Sequence, residues 1–246
     1  MKIKLFTVPN IITLCNLLCG CFSIVASLVV GDFTLALIFI LASAVCDFFD
    51  GFTARLLKQY SDIGVQLDSL ADMVSFGVAP SAVMYAFACQ APTLFVLNDV
   101  VAHIIVYVPF IMAAFSALRL AKFNIDERQT TSFIGLATPP NAIFWASLVC
   151  WLNSIEEPTW VAWILLAGSL LSCYLLVSEI PFFSFKSASK EKALITTFAV
   201  GSGLILASCI FLAIYNKQIA IAALAGAICI VWYVICNFFT LVSAKK

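Results

Sequence analysis

The sequence predicts an all-α, polytopic membrane protein with about eight transmembrane helices, and three observations lead there. First, 63% of the 246 residues are hydrophobic and 11% are charged, where a soluble domain has about half and about a quarter; the mean hydropathy is +1.10. Second, the apolar residues form continuous runs instead of alternating. That pattern belongs to helices, which satisfy their backbone groups internally, and not to a barrel. Third, the basic residues segregate. With an even number of spans both termini share one side, and twelve of the thirteen bases fall on it, Lys217 alone falling on the other. The positive-inside rule makes that side cytoplasmic, and the expected location is the cell (inner) membrane, with both termini cytoplasmic.

By the ~20-residue ruler for a span, the helices read 9–30, 33–57, 66–89, 98–122, 139–153, 159–179, 192–215 and 218–241. Lys2 and Lys4 precede the first apolar run as in a signal peptide. The run is too long for one and lacks a small-residue cleavage site, so it reads as a retained span. Pro9 suits the first turn of a helix. Asn10, Thr13 and Asn16 recur at three-residue steps and form a polar stripe. Such a stripe serves helix–helix hydrogen bonding or substrate contact, and both readings stay open. The second and third spans carry acids. His103, in the fourth, reads as structural. Trp145, Trp151 and Trp160 fit an interfacial belt on the non-cytoplasmic side. The K-S-A-S-K-E-K segment at 186–192 reads as a basic loop facing anionic lipid. The whole chain, 1–246, reads as one membrane-embedded domain, with its motifs in the first five helices. The ten cysteines fall mostly in apolar runs with no C-x-x-C pair, so they read as small core or lipid-facing residues.

Four acids stand out against this background. Asp47 and Asp50 are i and i+3 on the second helix; Asp68 and Asp72 are i and i+4 on the third, so each pair shares a face. A carboxylate at membrane depth is expensive and marks function by default. Four ionised together repel, so protons or cations must neutralise them. Oxygen donors select Mg²⁺, Mn²⁺ or Ca²⁺ over zinc, and four carboxylates are enough for two ions that clamp phosphoryl oxygens. An Asp not fully used by metal can accept a proton from an attacking hydroxyl. Arg55, Lys58 and Ser61 adjoin the acids, which suggests a phosphate to be held. A phosphate-handling enzyme, a transporter or metal-ion carrier, and a structural site all remain open on these grounds. Transporters more often show broken helices at mid-bilayer and internal repeats.

The pattern D-x-x-D-G-x-x-A-R-(x8)-G-x-x-x-D-x-x-x-D, built here from Asp47, Asp50, Gly51, Ala54, Arg55, Gly64, Asp68 and Asp72, resembles the signature of the CDP-alcohol phosphotransferase family. Four further stretches are similar to its serine-accepting branch: P-N-I-I-T-L-C-N at 9–16, S-L-A-D-M-V-S-F-G-V-A-P at 69–80, R-L-A-K-F-N at 119–124 and G-L-A-T-P-P-N-A at 135–142. Ala137 departs from the Pro expected before T-P-P. The resemblance implies the CDP-alcohol phosphotransferase fold and a reaction in which CDP-diacylglycerol and L-serine give phosphatidylserine and CMP. Other acceptors of the same chemistry are glycerol 3-phosphate, inositol phosphate and choline. It implies that Asp47 and Asp68 bridge two divalent ions, that Asp50 holds the first and Asp72 the second, and that Asp72 is the general base. It also implies that Gly51, Arg55, Ser61, Asn10 and Thr13 contact the CDP moiety. A zwitterionic acceptor needs a cation for its carboxylate; Arg119 is the first choice, ahead of Lys122 and Arg128, and a role in topology or headgroup contact is the alternative. Membrane lipids and a second copy of the chain are the expected partners, and no nucleic acid is expected.

Overall fold

In a computed structural model, residues 4–90, 104–126, 128, 133–155, 161–182 and 192–244 are described. Among them the chain is helical almost throughout. The first helix, α1 (Val8–Val25), widens into a π-helical turn, Ala26–Val30. Then come α2 (Phe33–Leu56) and α3 (Asp62–Asp72), which runs through a second π segment, Met73–Val78, into α4 (Ala79–Gln90). They are followed by α5 (Pro109–Ile125), α6 (Thr138–Leu152), α7 (Val161–Val177), α8 (Lys192–Asn216) and α9 (Ile219–Ala244). A two-residue antiparallel ladder joins β1 (Phe133–Ile134) to β2 (Pro181–Phe182) and ties the segment before α6 to the one after α7.

The helix starts are written in the sequence. Thr7 caps α1 by accepting from the Asn10 amide, and Pro9 occupies the first turn. Asp32 caps α2 through a 2.9 Å bond from the Leu35 amide. Ser61 caps α3 through a 3.1 Å bond from Gly64, so α3 begins at Asp62 and not at residue 66 as its hydropathy suggests.

Among the described residues, five rods are long and apolar enough to cross a bilayer: Val8–Val30, Phe33–Leu56, Asp62–Gln90, Ile195–Asn216 and Ala220–Phe238. Trp163–Val177 is apolar but shorter. The protein is therefore a multi-pass helical membrane protein. The described helices cover all eight expected spans in part, while α5 and α6, at 17 and 15 residues, fall below the ruler.

The three N-terminal rods pack on one another, α2 and α4 lean on α6, and α5 bridges the second π segment and α7. The core lies between α2, α4 and α6, where Phe33 meets Phe87 edge-on at 5.9 Å. Beyond α6 stands α9, and beyond that α8, whose apolar surface is nearly all exposed, as a lipid-facing helix requires.

Trp145 departs from expectation. It is fully buried between helices, not in an interfacial belt, and its Nε1 donates to Ser172 Oγ at 2.9 Å. A hydrogen bond inside the bundle satisfies the indole N–H that would otherwise draw the ring to the interface. Trp151 packs partly buried against the core. All ten cysteines are free thiols. Trp160, His103, the 186–191 part of the basic loop and the terminal lysines Lys2, Lys245 and Lys246 lie outside the described residues.

Candidate active site

The site forms where α1, α2 and α3 converge. The faces foreseen from spacing meet: one carboxylate oxygen each from Asp47, Asp50 and Asp68 lie within 4.8 Å of one another. Asp50 is buried, at 6% exposure, and Asp47 and Asp68 are half-buried. Two ionised carboxylates at that distance repel by about 3–4 kcal/mol at an effective dielectric of about 20. Arg55 and Arg119 border the neighbouring cavities, but neither forms a salt bridge with these acids. Among the described residues the ion pairs are Lys122–Glu179, Arg128–Asp126 and Arg128–Glu179, all away from these acids. Asp68 Oδ1 is buried with no hydrogen-bond partner. An orphaned oxygen and two neighbouring carboxylates, none of them in a salt bridge, make a donor set suited to a hard divalent cation.

Asp72 stands one turn further along α3. It is buried, at 8% exposure, and Asn16 Nδ2 donates to its Oδ1 at 3.1 Å. The helix changes from α to π directly after it, a distortion often found at functional sites. The carboxylates are held from behind by α1: Thr13 Oγ1 donates to Asp50 Oδ2 at 2.7 Å. Thr13 and Asn16 of the polar stripe therefore brace the acids, while Asn10 Nδ2 donates to Leu5 O. Thr13 also lines a cavity.

Two cavities flank the acids. The first, of about 160 Å³, is bordered by Asn10, Thr13, Asp50, Gly51, Arg55, Ser61 and Asp68. It brings together every residue expected at the CDP moiety. Ser61 does this while capping α3. At Gly51 an added Cβ would meet nothing nearer than Arg55 Nη1 at 3.8 Å, so protein packing does not require the glycine; what it keeps open is the wall of this cavity.

The second cavity, of about 190 Å³, is bordered by Asp47, Asp68, Asp72, Arg119, Asn124 and Pro139. Asp68 thus faces both. Arg119 is buried, at 6% exposure; its Nη1 donates to Thr138 Oγ1 at 3.3 Å and its Nε has no partner. The other two bases considered with it lie elsewhere. Arg128 forks onto Asp126 at 2.8 and 2.7 Å, and Lys122 pairs with Glu179.

Sequence reasoning left several site residues without a role. Asn16 was seen only as part of a stripe. Ser43, one turn before Asp47 on α2, gave no signal beyond that spacing. Thr138 sits in a Pro-flanked helix start that reads equally well as a turn. The Asn124–Ser69 pair, 2.8 Å apart at the rim of the second cavity, joins residues distant in the chain.

The geometry agrees with what the chain is similar to. A profile of the CDP-alcohol phosphatidyltransferase family matches residues 6–175. A CDP-diacylglycerol–serine O-phosphatidyltransferase of Bacillus subtilis (strain 168) is 37% identical over 75% of this chain and 94% of its own. One of Helicobacter pylori (strain 26695) is 32% identical over 74% of each chain, and one of Methanocaldococcus jannaschii is 31% identical over 61% of this chain and 64% of its own. The matched region carries α1 to α7, and with them all four aspartates and both cavities; the chain belongs to the CDP-alcohol phosphatidyltransferase family.

Proposed function

We propose that this protein transfers the phosphatidyl group of CDP-diacylglycerol to the hydroxyl of L-serine, giving phosphatidylserine and CMP. The observation that carries the reading is the convergence of Asp47, Asp50 and Asp68 between two polar cavities, in a chain whose relatives bear that activity in their names.

The first cavity suits the nucleotide end of CDP-diacylglycerol. Arg55 offers a planar fork to phosphate, Gly51 leaves its wall open, and Asn10, Thr13 and Ser61 supply polar edges. The second cavity suits serine. Arg119 has an unused Nε for the substrate carboxylate, and Asp72 borders the same space. Asp72 takes the proton of the serine hydroxyl. The serine oxygen forms a bond to the phosphorus that carries diacylglycerol. The bond from that phosphorus to the bridging oxygen breaks, and CMP leaves with the electron pair. Two divalent ions, Mg²⁺ or Mn²⁺ with Ca²⁺ a third candidate, would be held by Asp47 and Asp68 jointly, with Asp50 on one and Asp72 on the other. When bound they would neutralise the acids and withdraw charge from the pyrophosphate oxygens.

The reading extends to the whole chain as one catalytic domain, to a cytoplasmic active site and cytoplasmic termini in the inner membrane, supported by the one-sided bases, and to a homodimer. Mass photometry in detergent tests the dimer, and protease accessibility of tagged termini in oriented vesicles tests the sidedness.

The central experiment is CMP release by purified protein in detergent micelles with CDP-diacylglycerol, Mn²⁺ or Mg²⁺ and a panel of alcohols. Serine-dependent release that EDTA abolishes is expected. Release driven by glycerol 3-phosphate in place of serine reassigns the acceptor. Cation flux into proteoliposomes without nucleotide chemistry sinks the enzyme reading.

A further inference from the structure

We propose that Ser43 and Asn16 form a buried hydrogen-bond relay that sets the orientation of the Asp72 carboxylate, and so act as positioning residues for the transfer. The inference rests on the role given to Asp72 above. Asn16 on α1, Ser43 on α2 and Ser75 on the second π segment are all fully buried. Ser43 Oγ lies 2.6 Å from Asn16 Oδ1 and 2.8 Å from Asn16 O; Ser75 Oγ donates to the same backbone oxygen at 3.0 Å. Asn16 Nδ2 then reaches Asp72 Oδ1 at 3.1 Å.

Chemistry makes the relay directional. An ionised carboxylate only accepts, so Asn16 must present its NH₂ to Asp72 and its carbonyl oxygen to the Ser43 hydroxyl. The amide can turn no other way without setting oxygen against oxygen. One oxygen of Asp72 is thereby engaged from behind, and the other is left for the cavity shared with Arg119 and Asp47. The relay also sits where α1 packs tightly on the second π segment: a Cβ on Gly20, one turn after Asn16, would lie 2.7 Å from Ser75 Cα. Packing alone would need neither an amide facing the carboxylate nor a hydroxyl aligning that amide. Ser23 shows the alternative, since it joins α1 to α2 by a 3.0 Å bond to Ala36 O and touches no acid.

The experiment compares Asn16→Ala, Ser43→Ala, the double variant and Ser23→Ala by CMP release, using whichever alcohol the wild type accepts, together with the Mn²⁺-dependent thermal shift of each protein. Misplacing a reacting group by about 1 Å costs on the order of 10²-fold. Asn16→Ala is therefore expected to lose kcat on that scale with KM for CDP-diacylglycerol within about twofold, and Ser43→Ala to lose about tenfold. The double variant is expected to be no worse than Asn16→Ala, because Ser43 acts through Asn16. Ser23→Ala keeps wild-type kcat and its Mn²⁺ shift, whereas Asn16→Ala, which loosens an acid proposed to hold an ion, keeps a Mn²⁺ shift of reduced size. Wild-type kcat in Asn16→Ala, additive losses in the double variant, or an equal loss of kcat or Mn²⁺ shift in Ser23→Ala overturns the relay while leaving the transferase intact. A wild type that releases no CMP with any alcohol fails the transferase reading and the relay with it.

Discussion

Thr13 Oγ1 donates a 2.7 Å hydrogen bond to Asp50 Oδ2 across the interface of α1 and α2. The bond is buried, joins residues on separate rods, and occupies one oxygen of an acid that the site needs in a defined orientation. It turns a feature that reads as a generic polar stripe into a fixture of the acidic face.

Thr13→Val keeps the shape and removes that bond. A buried hydrogen bond to a charged group contributes about 1.5–3 kcal/mol, which is about 10- to 100-fold in an equilibrium constant. The Mn²⁺ concentration giving half-maximal CMP release should rise at least about tenfold. An unmoved midpoint would show that Asp50 needs no help from α1.

Asp72→Asn preserves the volume of the side chain and removes its ability to take a proton. General-base catalysis contributes typically 10²–10⁴-fold, so kcat should fall at least about 10²-fold while a CDP analogue still binds, as read by thermal shift. Turnover near the wild-type level excludes Asp72 as the base.

The two cavities predict separable phenotypes. Arg55→Ala should raise KM for CDP-diacylglycerol by about tenfold, the scale of one charged hydrogen bond, and leave serine KM nearly unchanged. Arg119→Lys, which keeps the charge in a buried site but loses the fork, should do the reverse. Lys122→Ala, at a residue paired with Glu179, serves as the control. Parallel movement of both KM values in either arginine variant would mean that the cavities are not divided between substrates.

Gly20 permits the tightest approach in the site's frame, its added Cβ lying 2.5 Å from Ser75 Oγ and 2.7 Å from Ser75 Cα. Backbone cannot yield as a flexible side chain does. Gly20→Ala should destabilise the protein by about 1–3 kcal/mol through overpacking, visible as a lower Tm in detergent, and should lower kcat by moving α1 away from the segment that follows Asp72.

On the exposed rim, the hydrogen bond from Lys122 holds the Glu179 carboxyl below the ordinary glutamate range, with Arg128 at 3.4 Å adding to it. A depressed folded-state value means that the stabilisation is fully present above the unfolded value of about 4.5 and is lost as pH falls through the lower folded value. Glu179→Gln should flatten the Tm–pH curve in that acid window. High salt should reduce the difference between variant and wild type, because exposed pairs are screened. Identical curves for both at low salt would rule out a contribution from this pair.

Much of the site was legible because spacing on a helix is geometry. Asp47 with Asp50, and Asp68 with Asp72, had to share faces once the runs around them were helical. Gly51 and Arg55 stand four and eight residues after Asp47, so they had to lie along its face of the helix. What spacing could not say is which rod stands behind the acids. Asn16 and Ser43 are polar residues in apolar runs, and such residues bond to whatever neighbour they meet. Trp145 shows the same limit in reverse: its amphipathic ring fits an interface as well as a buried slot, and Ser172, distant in the chain, decided between them.

The sequence by itself determined a helical membrane protein and four carboxylates on two helical faces, because periodicity, length and charge are local properties of the chain. Only the tertiary structure decided that three of those acids converge while Asp72, hydrogen-bonded to Asn16, borders a second cavity, and that Arg119 borders it too, whereas Arg128 and Lys122 form salt bridges elsewhere. Those outcomes depend on how separate rods approach and on the close contact that Gly20 allows, and contacts between distant residues leave no period in the chain from which to read them.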